Sequence, residues 1–141
     1  MLLAGQSATE LALLLPVLTL LLLIGIDLAR VFFVSIGVDD AARAGADYGS
    51  QSVITAADSN GIIAAAKADG AGIVSLSVTA SQCTCLGDSS VAPCPTSYCA
   101  DNAQATYITV NAQAPFHTLI TYPGLPSSLT LYGQAIMPVQ Q

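Results

Sequence analysis

The sequence predicts an α+β protein, one long N-terminal helix followed by a small head with a short helix and about three antiparallel strands. Three observations lead there. Residues Leu11 to Ile26 are mostly leucine and carry no charged side chain, and helical spacing continues beyond them. Three later segments alternate apolar and polar residues, the period of a half-buried strand. Gly, Pro and Ser clusters separate those segments. At 141 residues the chain suffices for one small domain.

The first element is the helix. From Gln6 to Ile26 the only charge is Glu10. About twenty apolar residues at 1.5 Å each cross the hydrocarbon core of a bilayer. A buried core helix is the competing reading, but no second segment is apolar enough to surround it. A cleaved secretory signal needs a basic n-region, a shorter apolar run and a small-x-small site. Met1 to Gly5 has no basic residue, and the helical pattern runs on past the apolar end. Asp27 and Arg30 are three apart, whereas Asp39 and Arg43, then Arg43 and Asp47, are four apart. These spacings put opposite charges on one helical face. Leu28, Phe32, Ser35, Val38 and Ala42 mark a second stripe. The first stop signal is Tyr48-Gly49-Ser50. One helix of roughly forty residues follows, near 60 Å long by its rise, with Pro16 inside it.

The head follows. Val53 to Ala68 reads as an Ala-rich helix, broken near Asn60-Gly61 and ended by Gly70 and Gly72. Ile73 to Ala80, Ala105 to Ala112 and Leu129 to Val139 read as strands. A cysteine-rich loop at 83–99 lies between the first two, and Pro115 to Ser128 is rich in turn residues. The division is a short leader at 1–5, a transmembrane and assembly helix at 6–50, and a small extracytoplasmic head at 51–141.

Composition narrows the function. Only 9% of residues are charged, against about 25% in ordinary soluble domains. Such a chain needs a membrane or a partner surface to cover it. The net charge is −6 and the basic residues are Arg30, Arg43 and Lys67 alone. That argues against nucleic acid as a partner, because phosphate binding depends on clustered Lys and Arg. It argues likewise against a peripheral basic contact with anionic lipid.

Cys83, Cys85, Cys94 and Cys99 cluster, which suggests an oxidising compartment and two disulfides. Their C-x-C start fits zinc poorly, since paired zinc ligands sit two to four residues apart. Cys83 and Cys85 are too close to pair comfortably. Two connectivities remain: Cys83–Cys94 with Cys85–Cys99, or Cys83–Cys99 with Cys85–Cys94. His117, the only histidine, sits between Phe116 and Thr118 and reads as a surface or packing residue. Asp39 and Asp40 are adjacent, so they point to different sides of a helix. No catalytic, metal or cofactor constellation emerges, and an enzyme is not expected.

Glu10 is the residue with the most to say. A carboxylate at the edge of a membrane helix costs a few kcal/mol unless it is paired or near the interface. Were the chain cut after Gly5, the new α-amino group of Gln6 would be a cation. A neighbouring subunit's amine then pairs with Glu10. The plainer reading is a charge that favours the helix dipole. Both stand on the physics alone.

Gly5-Gln6-Ser7-Ala8-Thr9-Glu10 ahead of an apolar run resembles the class III signal of type IV pilin-like proteins. With Gly25-Ile-Asp-Leu-Ala-Arg30 and Ala41-Ala-Arg-Ala-Gly45-Ala it resembles the TadE-like pseudopilins of tight-adherence pilus systems. Ala114-Pro-Phe-His-Thr-Leu, Tyr122-Pro-Gly-Leu-Pro and Leu129 to Pro138 are similar to that family's ending. The cysteine loop has no counterpart in it. The resemblance implies a pilin-like fold, cleavage by a prepilin peptidase between Gly5 and Gln6, and Glu10 as the +5 glutamate. It implies membrane lipid and other pilin-like subunits as partners, in pilus assembly at the cell envelope. Met1 to Gly5 departs from the family leader in lacking basic residues, so the positive-inside rule is weakly served.

The leading expectation is a membrane-inserted subunit or assembly factor of a pilus. One alternative is the major subunit of a homo-oligomeric extracellular filament, with Ala41, Ala42, Ala44, Gly45, Ala46 and Gly49 allowing close helix packing. Another, from a different class, is a membrane-anchored module whose head binds an extracellular ligand.

Overall fold

A computed structural model describes residues 3–85, 91–95, 97–99, 105–121, 124 and 126–140, with side chains from Ser7 onward. Met1 and Leu2 of the expected leader, part of the cysteine loop and part of the Pro-rich turn lie outside the described residues.

The expected long helix is a single element, α1 (Leu3–Ser50), and Pro16 does not end it. Proline removes one N–H from the ladder and crowds the turn before it. Three residues on, the Thr19 hydroxyl donates to the Leu15 carbonyl at 2.8 Å. That bond satisfies the one hydroxyl in an otherwise leucine-rich stretch.

The Ala-rich segment forms two helices, α2 (Val53–Ala57) and α3 (Ser59–Asp69). The break falls at Asp58, ahead of the expected Asn60-Gly61. Ser52 and Thr55 form a capping box on α2. The Asp58 carboxylate accepts from the Gly61 N–H at 2.9 Å and caps α3. Glycine at that place permits the cap rather than the break.

The three strands form one antiparallel sheet in the order β1-β2-β3: β1 (Ser77–Thr84), β2 (Thr106–His117) and β3 (Ser128–Pro138). β1 begins four residues later than the alternation at Ile73 suggested. Ile73 donates its N–H to the Gly70 carbonyl, and Ser75 has φ 58°. A turn therefore delivers Ile73 and Leu76, three residues apart, to the edge of the core. Val74 between them stays exposed, so the inward alternation of a strand is not reached before Ser77. β1 also runs on through Cys83 into the expected loop, because Ser81 to Thr84 pair with Thr109 to Thr106. β2 extends past Ala112 and through Pro115. The last β1 partner of β2 is Gln113, so at Pro115 only β3 flanks it. A sheet tolerates proline in that position.

α1 lies across one face of the sheet with α3 beside it. The core is small-sided: Val38, Ala41, Ala42 and Ala46 of α1 meet Ile62 and Ala66 of α3 and Ile108, Val110, Ala112 and Ala114 of β2. Small residues bring the backbones close. A Cβ on Gly45 would sit 3.0 Å from the Ala66 Cβ and 3.1 Å from the Ile62 carbonyl. A Cβ on Gly133 would sit 2.8 Å from the Val38 carbonyl. The small residues expected to serve packing between subunits thus largely serve packing within the chain. Ala41, Ala42, Gly45, Ala46 and Gly49 are all buried against its own head.

Candidate functional site

The membrane-length helix is the candidate site, and its geometry divides at Asp27. Among the described side chains none before Asp27 is buried. The leucines from Leu11 to Leu22 are exposed, and only 6% of the most apolar stretch is covered by the rest of the molecule. The core helix of a soluble protein is mostly covered. A detachable signal does not continue into the core, as α1 does from Val38 onward. Ser7 to Ile26 covers about 30 Å at 1.5 Å per residue, the thickness of a hydrocarbon core. Among the described residues α1 is the one helix long and apolar enough to cross a membrane.

Asp27 is buried, at 4% exposure. Both its carboxylate oxygens accept from the Leu119 N–H at 3.1 Å, and Arg30 donates to Oδ1 at 3.0 Å. The Arg30 guanidinium stands 5.2 Å from the Phe116 ring centre, within cation–π range. The helical spacing of Asp27 and Arg30 was legible in the sequence, and the pair forms. Its grip on the end of β2 was not legible, because the partners are distant in the chain and one is a backbone N–H.

Arg43 departs from expectation. It lies 3.9 Å from Asp40, both groups exposed, in place of pairs with Asp39 and Asp47. Asp39 instead turns toward the backbone of Gly133, so the adjacent aspartates do face different sides. The expected stripe splits too. Val38 and Ala42 are buried, but Leu28 and Phe32 are exposed, and Phe33 and Ile36 join them on the open surface.

The sequence-predicted residues at the N-terminal end are not brought against the head. Glu10 is exposed on α1, about 25 Å from Asp27 along the axis by helical rise. Gly5 and Gln6 lie in the first turns of the same helix.

At the opposite end the structure pairs Cys83 with Cys94 and Cys85 with Cys99, at Cα–Cα distances of 4.8 and 5.4 Å. Backbone bonds from Cys94 N–H to the Thr84 carbonyl and from Thr84 N–H to the Ala92 carbonyl hold the returning segment against β1. The Tyr98 and Tyr107 rings lie 5.9 Å apart over it. The Cys85, Cys94 and Cys99 sulfurs lie within 4.8 Å of one another, but disulfide sulfurs are not thiolate ligands. His117 is exposed at the end of β2. On the outer face of the sheet, Ser77, Thr79, Asn111, Gln113, Tyr132 and Gln134 line a shallow depression of about 370 Å³ that holds no charged side chain.

Residues 5–47 match the family described as TadE-like protein. The match covers α1 almost to its end and stops before α2, so the likeness noted in the C-terminal residues lies outside it. No match is found among curated proteins or among solved structures.

Proposed function

We propose that this chain is a membrane-anchored component of a tight-adherence pilus system. It acts as a subunit or assembly factor through helix–helix packing of its N-terminal segment. One observation carries the reading: the residues similar to the TadE-like family are those of a helix whose first half is apolar and bare, and whose second half is the backbone of a folded head. A bare apolar helix of that length is stable in lipid or against other such helices. Disulfides near the far end suit an oxidising compartment, so the head faces away from the cytoplasm. On this reading a prepilin peptidase cuts between Gly5 and Gln6, and Glu10 meets the new α-amine of a neighbouring pilin-like subunit. The exposed surface for that packing is the stretch from Ser7 to Leu22, continued by Ile26, Leu28, Phe32, Phe33 and Ile36.

Glu10 separates assembly from mere anchoring. Residues 11–26 supply the apolar length without it, so Glu10→Ala leaves membrane insertion intact or improves it. It also leaves the neighbour's amine unpaired, and breaking a buried pair costs about 3–5 kcal/mol. Incorporation into pili, or co-purification with pilus components, then falls sharply for Glu10→Ala and for Glu10→Gln. Normal assembly of both variants rejects the charge pair. Mass spectrometry of the envelope-assembled protein is expected to find Gln6 at the N-terminus, and an intact Met1 there would reject processing.

A further inference from the structure

Successive contacts map the head onto α1. Gly49 lies against Ile108, Gly45 against Val110, Arg30 against Phe116 and Asp27 against Leu119. β2 therefore runs antiparallel to α1. Among the described residues of the head, Leu119 and Ile120, just past the end of β2, come to the level of the apolar half of the helix. The disulfide-closed segment lies at the other end, where the Gln140 N–H reaches the Ser50 carbonyl.

The turn between β2 and β3 has the wrong composition for a water-facing loop. Thr118 to Ser127 reads T-L-I-T-Y-P-G-L-P-S, without one charged residue. Leu119 is 59% exposed and Ile120 38%. Leu119 nonetheless sits at a fixed level, because its N–H is held by the buried Asp27 carboxylate, one residue past the apolar stretch. If Ser7 to Ile26 fills the hydrocarbon core, Asp27 marks its boundary. Exposed Leu and Ile side chains then stand where acyl chains meet headgroups. Amphipathic and apolar groups concentrate at that depth, and Tyr is enriched there.

We propose that Leu119 and Ile120, at the end of β2, form a second lipid contact, seated in the interfacial layer of the bilayer that α1 crosses. The proposal rests on α1 spanning the membrane, but not on pilus assembly. Its occupant is the lipid surface, argued from continuity with the bare apolar helix. A neutral bilayer suffices, since Arg30 beside the turn is already paired with Asp27. The contact would hold the head in a fixed pose on the membrane instead of letting it swing about α1.

The chain has no tryptophan, so a single introduced indole reports its own depth. Full-length Leu119→Trp, Ile120→Trp, Leu18→Trp and Tyr132→Trp are each reconstituted in phosphatidylcholine vesicles, with and without bromine on the acyl chains. Leu18 reports the span, and Tyr132 the outer face of the sheet. The expected result is that Leu119→Trp and Ile120→Trp lose most of their emission to brominated lipid and emit at shorter wavelength than Tyr132→Trp, which is unaffected. If Leu18→Trp is quenched but both turn variants behave as Tyr132→Trp does, the turn faces water and the proposal falls while the membrane span survives. If Leu18→Trp is not quenched, the span itself falls and the proposal with it. Quenching of Tyr132→Trp as strongly as of the turn variants means that the whole head lies on the bilayer, which also overturns an end-on seat.

Discussion

Asp27 shows how one side chain fixes the relation of two elements. A carboxylate this buried loses its hydration and is tolerated when strong donors replace it. Here the donors are Arg30, one turn away, and the Leu119 N–H, ninety-two positions away. Asp27→Ala removes both acceptors, and losing hydrogen bonds to a charged group costs about 1.5–3 kcal/mol. Urea unfolding of the detergent-solubilised chain is expected to show that loss. Arg30→Ala is expected to cost less, because the Leu119 N–H still donates to the carboxylate and water reaches the place of the 43% exposed Arg30 side chain. A larger loss for Arg30→Ala than for Asp27→Ala would contradict this account. Gly133 is a different kind of fixed point. Its missing side chain is what lets β3 approach the Val38 carbonyl and the backbone of Asp39. Gly133→Ala requires helix and strand to part, and overpacking of this kind costs about 1–3 kcal/mol. An unchanged unfolding midpoint for that variant would show that the two backbones are not in close contact.

At the scale of elements, the segment after β1 depends on covalent closure. It supplies few residues to the core, and backbone bonds at Thr84, Cys85, Cys94 and Tyr98 with one ring pair hold its described part in place. The bridges close short loops, with separations of 11 and 14 residues. Closure of that length typically contributes about 2–4 kcal/mol per bridge. Peptide mapping without reductant is expected to recover Cys83 joined to Cys94 and Cys85 joined to Cys99. Fragments joining Cys83 to Cys99 and Cys85 to Cys94 would reject this arrangement. Cys83 lies in β1 opposite Tyr107, so the first bridge ties the segment directly to the sheet. Cys85 lies one step past the strand and donates its N–H to the Ala105 carbonyl. Removing the Cys83 pair by Ser substitution is therefore expected to loosen the end of the sheet as well as the loop. Faster amide exchange at Thr84, whose N–H is held by the loop, and at Cys85, whose N–H is held by Ala105 beside β2, would report it.

For the whole molecule, the core does not respect the point where the long helix ends. Val38, Ala42 and Ala46 belong to α1, and the sheet and α3 close over them. A chain beginning at residue 51 lacks one wall of its core and is expected to be unfolded by circular dichroism. A chain beginning at Asp27 keeps every buried side chain described here. It is expected to unfold cooperatively without a bilayer, with some self-association through the exposed Phe32, Phe33 and Ile36. Cooperative unfolding of the shorter chain would show that the head is independent of α1. Resistance of both chains to folding would mean that the apolar half supports the head after all.

The elements that follow from local chemistry were legible in the sequence. An apolar run of bilayer length without charge is a helix with nothing to cover it, whatever the rest of the chain does. The alternation of Ala112, Ala114 and Phe116 with polar neighbours already carried β2 beyond Ala112, and Pro115 masked it. Local propensity does not record that a strand flanked on one side tolerates proline. Val74 and Leu76, where the alternation begins, misled for a different reason: Val74 is 82% exposed in the turn, and only from Ser77 onward does the alternating pattern belong to a strand. The cysteine spacing left two pairings open, and backbone bonding of residues 92–94 to Thr84 brings Cys94 beside Cys83. Asp27 looked like half of a helical ion pair, and Ala41 to Gly49 like a surface for other helices. Both roles changed once the sheet lay along α1, because burial belongs to the assembled layers and not to any segment of them. What the sequence determined alone is the bare helix and its Glu10. What the tertiary structure decided is the level at which that helix stops being bare, set by a carboxylate whose partner is ninety-two residues away.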